Sequence, residues 1–254
     1  MLKTIAVAGK GGTGKTTFCG MLVRYLAESK KGHILAVDAD PNSNLNEVLG
    51  VPAPITLGEI RENVLGKGSD EAPPGGMTKQ EYMEFMFGDA LVEEDDYDLM
   101  VMGRTQGAGC YCYVNGILHT LIEKYSGGYS HVVVDNEAGF EHISRGTLPR
   151  VDILLLISDC SRRGIQAAGR AAQMASELKL NPSVMKLIVN RAPGGELNEG
   201  VIDEIKAQSL DLIGVLPQDD AVYRYDSEGL PSADVPDSSP IKTAMRGIIR
   251  ALGL

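Results

Sequence analysis

Residues 9–16, with the sequence Gly-Lys-Gly-Gly-Thr-Gly-Lys-Thr, form a glycine-rich loop of a kind that binds phosphate groups. They match the pattern G-x-x-x-x-G-K-[ST], in which backbone N–H groups surround a phosphate. Lys15 can place its charge on the β- and γ-phosphates, and the Thr16 hydroxyl can ligate Mg²⁺. A second lysine, Lys10, lies inside the loop. We therefore predict a site for ATP or ADP with Mg²⁺. Its binding residues are Gly11, Gly12, Thr13, Gly14, Lys15, Thr16 and Thr17.

The same glycines also fit a second interpretation, a dinucleotide-binding turn. Gly9, Gly11 and Gly14 satisfy G-x-G-x-x-G, and Asp38 follows the next apolar run, about where a ribose-binding acid would lie. The lysine–threonine pair that ends the loop argues against this interpretation. A dinucleotide turn has no use for that pair at the start of its helix, whereas a triphosphate with magnesium needs both residues.

Three aspartates could complete the magnesium and water chemistry. Asp38 and Asp40 follow the second apolar run, where one carboxylate could hold a water on Mg²⁺ and the other could orient or deprotonate the attacking water. The same pair could instead form a polar turn that caps a helix. Asp135 ends the apolar run 132–134 and could lie on the magnesium side of the nucleotide. Acids at strand ends are common, so Asp135 carries weight only together with Lys15 and Thr16.

Cys110 and Cys112 lie in a glycine-rich segment and are separated by one residue. This spacing is too tight for a comfortable disulfide, but two thiolates can chelate one soft metal ion. Two thiolates are half of a four-ligand site, and a symmetric dimer with the pair near its two-fold axis would supply four. The alternative is two small buried residues beside a glycine turn. We predict one Ni²⁺ or Zn²⁺ per dimer, and thiolate ligands do not separate these two metals.

The charge and composition argue against several classes of partner. The chain has 254 residues and a net charge of -10, which disfavours non-specific binding to nucleic acid. No apolar run has the length of a membrane span, and no signal peptide is visible. The 4 cysteines do not suggest a disulfide framework in a chain of this size. We expect a cytoplasmic protein that binds neither nucleic acid nor membrane.

The elements that must position these residues alternate between strands and helices. Several apolar runs are continuous, as in strands buried on both faces of a parallel sheet. The alternation predicts an α/β fold, a mostly parallel central sheet with helices on both faces, in a single domain over residues 1–254. Ligands are expected at the carboxyl ends of the strands. The predicted strands are 4–8, 34–37, 99–102, 131–134, 153–157, 186–190 and 212–215, and the predicted helices include 16–29, 116–124, 165–178 and 200–208.

Two further segments have patterns of their own. Residues 50–98 are predicted to form an excursion between core strands, with short helices near 57–64 and 79–87 and a solvated turn at the acidic run 93–98. Near the C-terminus, apolar residues recur at helical spacing between 241 and 252, which predicts a last helix packed on the sheet. A basic amphipathic helix lying on a membrane is the alternative.

Together these motifs resemble the MinD/ParA/nitrogenase-iron-protein group of dimeric nucleotidases, which are P-loop NTPases with a deviant Walker A motif. The resemblance spans most of the chain and includes residues 9–17, 38–41, 134–139, 190–191 and 216–219. It implies an ATP-promoted homodimer with an ATPase activity. The catalytic residues implied are Lys10, which reaches the partner's phosphates, Lys15, and Asp40, which positions the attacking water. The resemblance also assigns adenine binding to Asn190, Arg191, Pro217 and Asp219.

The segment 109–116, Gly-Cys-Tyr-Cys-Tyr-Val-Asn-Gly, is similar to that of the CooC-type maturation factors of nickel carbon monoxide dehydrogenase. This similarity implies that ATP drives insertion of nickel into the active-site cluster of carbon monoxide dehydrogenase, which would be the client. Nickel loading of acetyl-CoA synthase, iron–sulfur transport and positioning by a MinD- or ParA-like ATPase are the alternatives. No cysteine follows Asp135 until Cys160, which argues against a cluster of the nitrogenase-iron-protein kind.

Overall fold

The computed structural model has an eight-stranded sheet at its centre. It describes residues 2–30, 32–65, 73–104, 116, 119–120, 126–137 and 150–254. The predicted cysteine pair, most of the predicted helix 116–124 and residues 138–139 lie outside the described residues.

All seven predicted strands are present, and their apolar runs are buried in the sheet. The order across the sheet is β3-β4-β2-β5-β1-β6-β7-β8. Every neighbouring pair is parallel except β3 and β4, which form an antiparallel edge. The strands are β1 (Lys3–Gly9), β2 (Ile34–Ala39), β3 (Val92–Glu93), β4 (Tyr97–Val101), β5 (His131–Asn136), β6 (Ile153–Asp159), β7 (Val184–Ala192) and β8 (Leu212–Pro217).

Helices cover both faces of this sheet, as predicted. Alternate residues of β1 belong to different cores: Ala6 and Ala8 pack on one face, and Ile5 and Val7 on the other. The helices are α1 (Lys15–Glu28), α2 (Leu45–Leu49), α3 (Leu57–Leu65), α4 (Lys79–Asp89), α5 (Arg162–Glu177), α6 (Glu199–Ala207), α7 (Asp220–Ser227) and α8 (Pro240–Ala251). Among the described residues, none of the helices is both long and apolar enough to cross a membrane.

The excursion at residues 50–98 is packed on the sheet through α3 and α4. Ile60 of α3 and Phe87 of α4 are buried in the same core as Ala6 of β1. Within the acidic run 93–98, residues 93–96 are exposed and include the turn between β3 and β4, as predicted, whereas Tyr97 and Asp98 are buried in β4. Asp98, at the end of the run, is buried beside the His33 ring and accepts a hydrogen bond from the Tyr129 hydroxyl. Pairing with these two side chains explains how an acid is accommodated there.

The C-terminal helix α8 packs its apolar face against the protein. Ile241, Met245, Ile248 and Ile249 are buried, and they contribute to the core that also contains α1. The apolar stripe is therefore used inside the fold, which agrees with the prediction of a last helix packed on the sheet.

Candidate functional site

The glycine-rich loop connects the end of β1 to the start of α1, at the carboxyl edge of the sheet. Gly14 adopts a left-handed conformation with φ 89°, and a Cβ there would lie 2.4 Å from Nδ2 of Asn190. At Gly9 a Cβ would lie 2.2 Å from the carbonyl oxygen of Ile157. Both positions need glycine because neither has room for a side chain. The sequence thus brings the loop against β6 and β7 and leaves the N-terminus of α1 facing the cleft, where phosphate is favoured.

Hydrogen bonds within the loop hold its shape. The carbonyl of Lys10 accepts from the Thr13 hydroxyl at 2.9 Å and from Nζ of Lys15 at 3.4 Å. Lys15 is buried, whereas Lys10 is exposed. Its ammonium has three N–H donors and, among the described residues, one acceptor at 3.4 Å, so Lys15 retains donors for a phosphate.

A cleft of about 1030 Å³ lies over the loop and is lined by Gly11, Thr16, Thr17 and Asp40, among other residues. A second pocket of about 580 Å³ adjoins it. Gly14, Thr17, Arg191 and Asp226 line both, so the two form one continuous site. The larger cleft lies over the phosphate loop, and the smaller one lies beside β7 and α7. This arrangement has the shape that a nucleotide requires, with phosphates at one end and a base at the other.

Asp38 and Asp135 are partners in register on the neighbouring strands β2 and β5. Both are buried. Burial raises the pKa of Asp135 to about 7, and repulsion from Asp38 adds to the rise, whereas a hydrogen bond with Thr16 and the charge of Lys15 oppose it. Burial also raises the pKa of Asp38 to about 6, against hydrogen bonds from the backbone of Leu45 and Asp40. A cation bound beside these two neighbouring carboxyl groups would therefore favour their charged forms, which burial alone disfavours.

The residues around Asp135 fit a magnesium ion. Its Oδ1 is buried and has no hydrogen-bond partner, which is costly unless another group completes it. The hydroxyl of Thr16 is within hydrogen-bonding reach of the same carboxylate. Carboxylate and hydroxyl oxygens, together with phosphate, are the ligands that Mg²⁺ prefers. In the described part of the chain there is no cluster of three or more His, Cys, Asp and Glu residues suited to an all-protein metal site.

Asp38 and Asp40 occupy different positions, although they are two residues apart. Asp38 accepts hydrogen bonds from the backbone N–H of Leu45 at 2.9 Å and of Asp40 at 3.0 Å, so both its oxygens shape the turn before α2. Asp40 lines the phosphate cleft, and its Oδ1 accepts from the backbone and the side chain of Asn42. The capping alternative thus describes Asp38, and Asp40 is the carboxylate that lies at the cleft.

The smaller pocket is lined by all four residues that the resemblance assigns to adenine, which are Asn190, Arg191, Pro217 and Asp219. Asp219 also has a structural role, because its carboxylate caps α7 through Ala221 N–H and accepts from the Ser239 hydroxyl and Ile241 N–H. Burial opposes ionisation there, but these hydrogen bonds lower its pKa below the usual value.

Three residues in or beside the site are not among the predicted site residues, although Asn136 lies within the matching segment 134–139. Tyr223 of α7 lines the smaller pocket. Asn136 is buried and donates from Nδ2 to the Val7 carbonyl at 2.9 Å, which ties β5 to β1 directly before the loop. Cys19 lies under the loop, and burial, followed by the charge of Asp135, raises the pKa of its thiol well above the usual value. Cys19 is therefore a neutral core residue.

Comparison with known proteins agrees with this geometry. Residues 4–232 match the family described as the CobQ/CobB/MinD/ParA nucleotide binding domain. An uncharacterised ATP-binding protein of Methanocaldococcus jannaschii is 41% identical over 237 residues, 93% of each chain. The carbon monoxide dehydrogenase accessory protein CooC of Rhodospirillum rubrum is 31% identical over 243 residues, 91% of this chain and 89% of CooC.

Solved structures share the fold. The septum site-determining protein MinD from Pyrococcus horikoshii, complexed with Mg-ADP, has a TM-score of 0.73 at 19% identity, covering 99% of this chain and 96% of MinD. Apo McdA of Cyanothece also has a TM-score of 0.73, at 21% identity and with 100% of both chains covered. Sequence, site and fold together identify the chain as a P-loop ATPase of the CobQ/CobB/MinD/ParA family.

Proposed function

We propose that this ATPase is a metal-delivery protein that inserts nickel into the active-site cluster of carbon monoxide dehydrogenase. The observation that carries the proposal is the Cys-x-Cys pair, Cys110 and Cys112, in a chain related to CooC over about nine-tenths of its length. One Ni²⁺ or Zn²⁺ ion would be held between two copies of the chain, with two thiolates from each.

Hydrolysis would use the chain's own residues in five roles. The loop N–H groups and Lys15 would bind the phosphates, and Thr16 with Asp135 would hold the magnesium ion. Bound Mg²⁺ would neutralise charge on the β- and γ-phosphates. Asp40 orients the attacking water at the cleft, and Lys10, which is exposed, reaches the phosphates of the partner copy. Asp38 fixes the turn that presents Asp40. This division of roles places electrostatic stabilisation on both sides of the transferred phosphoryl group.

A chain of contacts supports coupling between nucleotide and cysteines. Asn42 donates to Asp40 at 2.8 Å from its backbone and at 3.0 Å from its side chain, and Nη2 of Arg104 donates to Oδ1 of Asn42 at 2.6 Å. Arg104 lies on the segment that leaves β4 and is followed six residues later by Cys110. A movement of Asp40 on ATP binding or hydrolysis would therefore act directly on the chain that leads to the metal site.

The start of that segment is firmly held. The Gly58 N–H donates to the Met102 carbonyl at 2.8 Å. A Cβ at Gly103 would lie 2.3 Å from the Thr56 hydroxyl oxygen, and one at Gly58 would lie 2.5 Å from the Arg104 carbonyl oxygen. This close packing against the start of α3 holds residues 102–104 in place. A movement of Asn42 can therefore be transmitted through Arg104 toward the cysteine pair.

Equilibrium dialysis with Ni²⁺ and with Zn²⁺, each with and without ATP, tests the metal site. We expect one ion per dimer, and an affinity that changes with the nucleotide. The double substitution Cys110→Ser with Cys112→Ser should abolish stoichiometric binding and leave hydrolysis intact. Cys160→Ser is the matched control and should retain the metal, since Cys160 is a lone half-buried thiol. Full metal retention in the double variant would overturn the proposal.

Activation of a nickel-free enzyme tests which client receives the metal. Nickel-loaded protein with ATP should activate nickel-free carbon monoxide dehydrogenase, and the double cysteine variant should not. Activation of acetyl-CoA synthase alone would transfer the function to that enzyme. A brown charge-transfer absorption after reconstitution would favour an iron–sulfur carrier. ATP-dependent co-sedimentation with vesicles or DNA, in the absence of metal binding, would favour a positioning ATPase.

A further inference from the structure

We infer that Tyr223 stacks on the adenine ring and contributes to the affinity of this ATPase for its nucleotide. Tyr223 lies in the first turn of α7 and lines the smaller pocket together with Asn190 and Pro217. Its side chain is 75% exposed, more than any other large apolar residue in the described part of the chain. Because this exposed ring lines the pocket, one of its faces is available to a planar base.

The backbone of Tyr223 is held in place by the cap of its helix. The N–H of Tyr223 donates to the Asp219 carbonyl at 3.4 Å. The carboxylate of Asp219 binds Ala221 N–H at 2.9 Å and Ile241 N–H at 3.1 Å, which joins α7 to α8. The ring is therefore carried on a fixed turn, and only its side-chain rotation must be ordered when a base binds.

Different residues of the smaller pocket can contact the edge and the face of a nucleotide base. Asn190 can hydrogen-bond the edge of a base, because its amide has a second N–H besides the one used for Thr13. Pro217, Val222 and Ile241 supply apolar lining. Of the residues lining this pocket, Tyr223 is the one with an aromatic ring, so it is the natural partner for the face of a planar base.

The neighbouring aromatic residue does not compete for this role. Tyr225 packs against the core that contains α1 and α8, and the Arg224 guanidinium lies 5.7 Å from the centre of its ring. Loss of stacking between a base and an aromatic ring typically lowers the affinity for the ligand by roughly 5- to 100-fold. Tyr223 would thus contribute a substantial share of the affinity for the base. This inference rests on the ATPase site and is independent of metal delivery.

The chain contains no tryptophan, so Tyr223→Trp would introduce a single fluorescent reporter. We expect Mg-ATP and Mg-ADP to quench its emission, and magnesium tripolyphosphate, which has no base, to leave it unchanged. Phe85→Trp is the matched control, since Phe85 is 60% exposed on α4 and lines neither part of the nucleotide site. Its emission should not respond to any of these compounds. An equal response to tripolyphosphate and ATP, or none to ATP, would overturn the inference.

Steady-state kinetics provide the second measurement. Tyr223→Ala should raise the KM for ATP about tenfold with little change in kcat, and Tyr223→Phe should restore it because the ring is retained. A purely structural role would lower the unfolding temperature of Tyr223→Ala without this selective change in KM.

The fluorescence quench expected in the Tyr223→Trp variant should also be independent of protein concentration. A quench that appears only at concentrations where dimers form would show a contact between copies and contradict stacking.

Discussion

Asn190 of β7 donates a hydrogen bond from Nδ2 to the carbonyl oxygen of Thr13 in the phosphate loop, at 2.8 Å. Its Oδ1 accepts from the backbone N–H of Arg191, also at 2.8 Å. The amide is buried, so both contacts are shielded from water. One side chain therefore joins β7, which lines the smaller pocket, to the loop that lines the larger cleft. We therefore expect binding at either end of the nucleotide to stabilise the geometry of the other end.

Replacing Asn190 by alanine should weaken ATP binding by about 5- to 100-fold, because it leaves the Thr13 carbonyl without its partner, at a cost of about 1–3 kcal/mol. The KM for ATP, and nucleotide affinity by calorimetry, measure this effect. Asn198→Ala is the matched control: Asn198 caps α6 through the Val201 N–H at 3.0 Å. That variant should lose about 1 kcal/mol of stability and keep its affinity for ATP. Equal affinity in both variants would contradict the role given to Asn190.

The contact of Arg104 with Asn42 gives a second prediction. Arg104→Ala should leave basal ATP hydrolysis near the wild-type rate and reduce or abolish the effect of ATP on metal affinity. Arg150→Ala is a suitable control, because Arg150 is exposed and pairs with Asp152 at 2.7 Å, an ion pair with little effect on the cleft. Metal dialysis with and without ATP gives the comparison. A full ATP effect in Arg104→Ala would show that coupling follows another route.

The core strands could be predicted because strands buried on both faces leave continuous apolar runs in the sequence. Elements that depend on distant contacts could not. Helix α2 has 5 residues and begins where Asp38 caps Leu45, and β3 has 2 residues and exists through its pairing with β4. Helix α7 is not among the predicted helices; it has 8 residues and is capped by the Asp219 carboxylate, which accepts from the Ala221 N–H.

The residues of the site also divide into those that could be predicted from the sequence and those that could not. Lys15 and Thr16 belong to a local motif whose chemistry can be recognised from spacing. Asp38 lies beside Asp135 because β2 is placed next to β5. The sequence of neither strand specifies that pairing. Asn190 and Thr13 are 177 positions apart, and their hydrogen bond depends on the complete sheet. Long-range pairing of this kind is set by the whole core and leaves no local pattern.

Asp38 and Asp40 should separate in mutagenesis. Asp38→Ala removes the acceptor for two backbone N–H groups, one of them buried, and should lower stability by about 1–3 kcal/mol. Asp40→Asn keeps the size of the side chain and an acceptor for Asn42, so the fold and ATP binding should be retained. Its kcat should fall about 100-fold or more, as expected for loss of a general base or water-orienting group. Measurements of thermal unfolding, of kcat and of the binding of a non-hydrolysable ATP analogue distinguish the Asp38→Ala variant from the Asp40→Asn variant. Unchanged kcat in Asp40→Asn would contradict its assignment.

The buried aspartates predict that the nucleotide-free protein becomes less stable as the pH rises. The pKa of Asp135 is raised from 3.8 to about 7, and that of Asp38 from 3.8 to about 6. In the folded chain these groups retain protons that the unfolded chain releases above about pH 4. Their stabilising contribution is therefore complete below the unfolded pKa and is lost as the pH rises through about 6 to 7.

Unfolding temperatures of the nucleotide-free protein between about pH 5 and 8 measure this loss, which should be on the order of a few kcal/mol. Asp135→Asn should reduce the slope of the profile, because Asp38 is then the one of the two buried aspartates that still titrates, whereas the exposed Asp203→Asn should leave the profile unchanged. Mg-ATP should also flatten it, since the magnesium ion favours the charged carboxylate, and binding near about pH 6.5 should release protons. Calorimetry in buffers of different ionisation enthalpy detects that release. A profile that rises with pH in the nucleotide-free protein, or binding without proton release, would contradict the assignment of Asp135 as the magnesium-side acid.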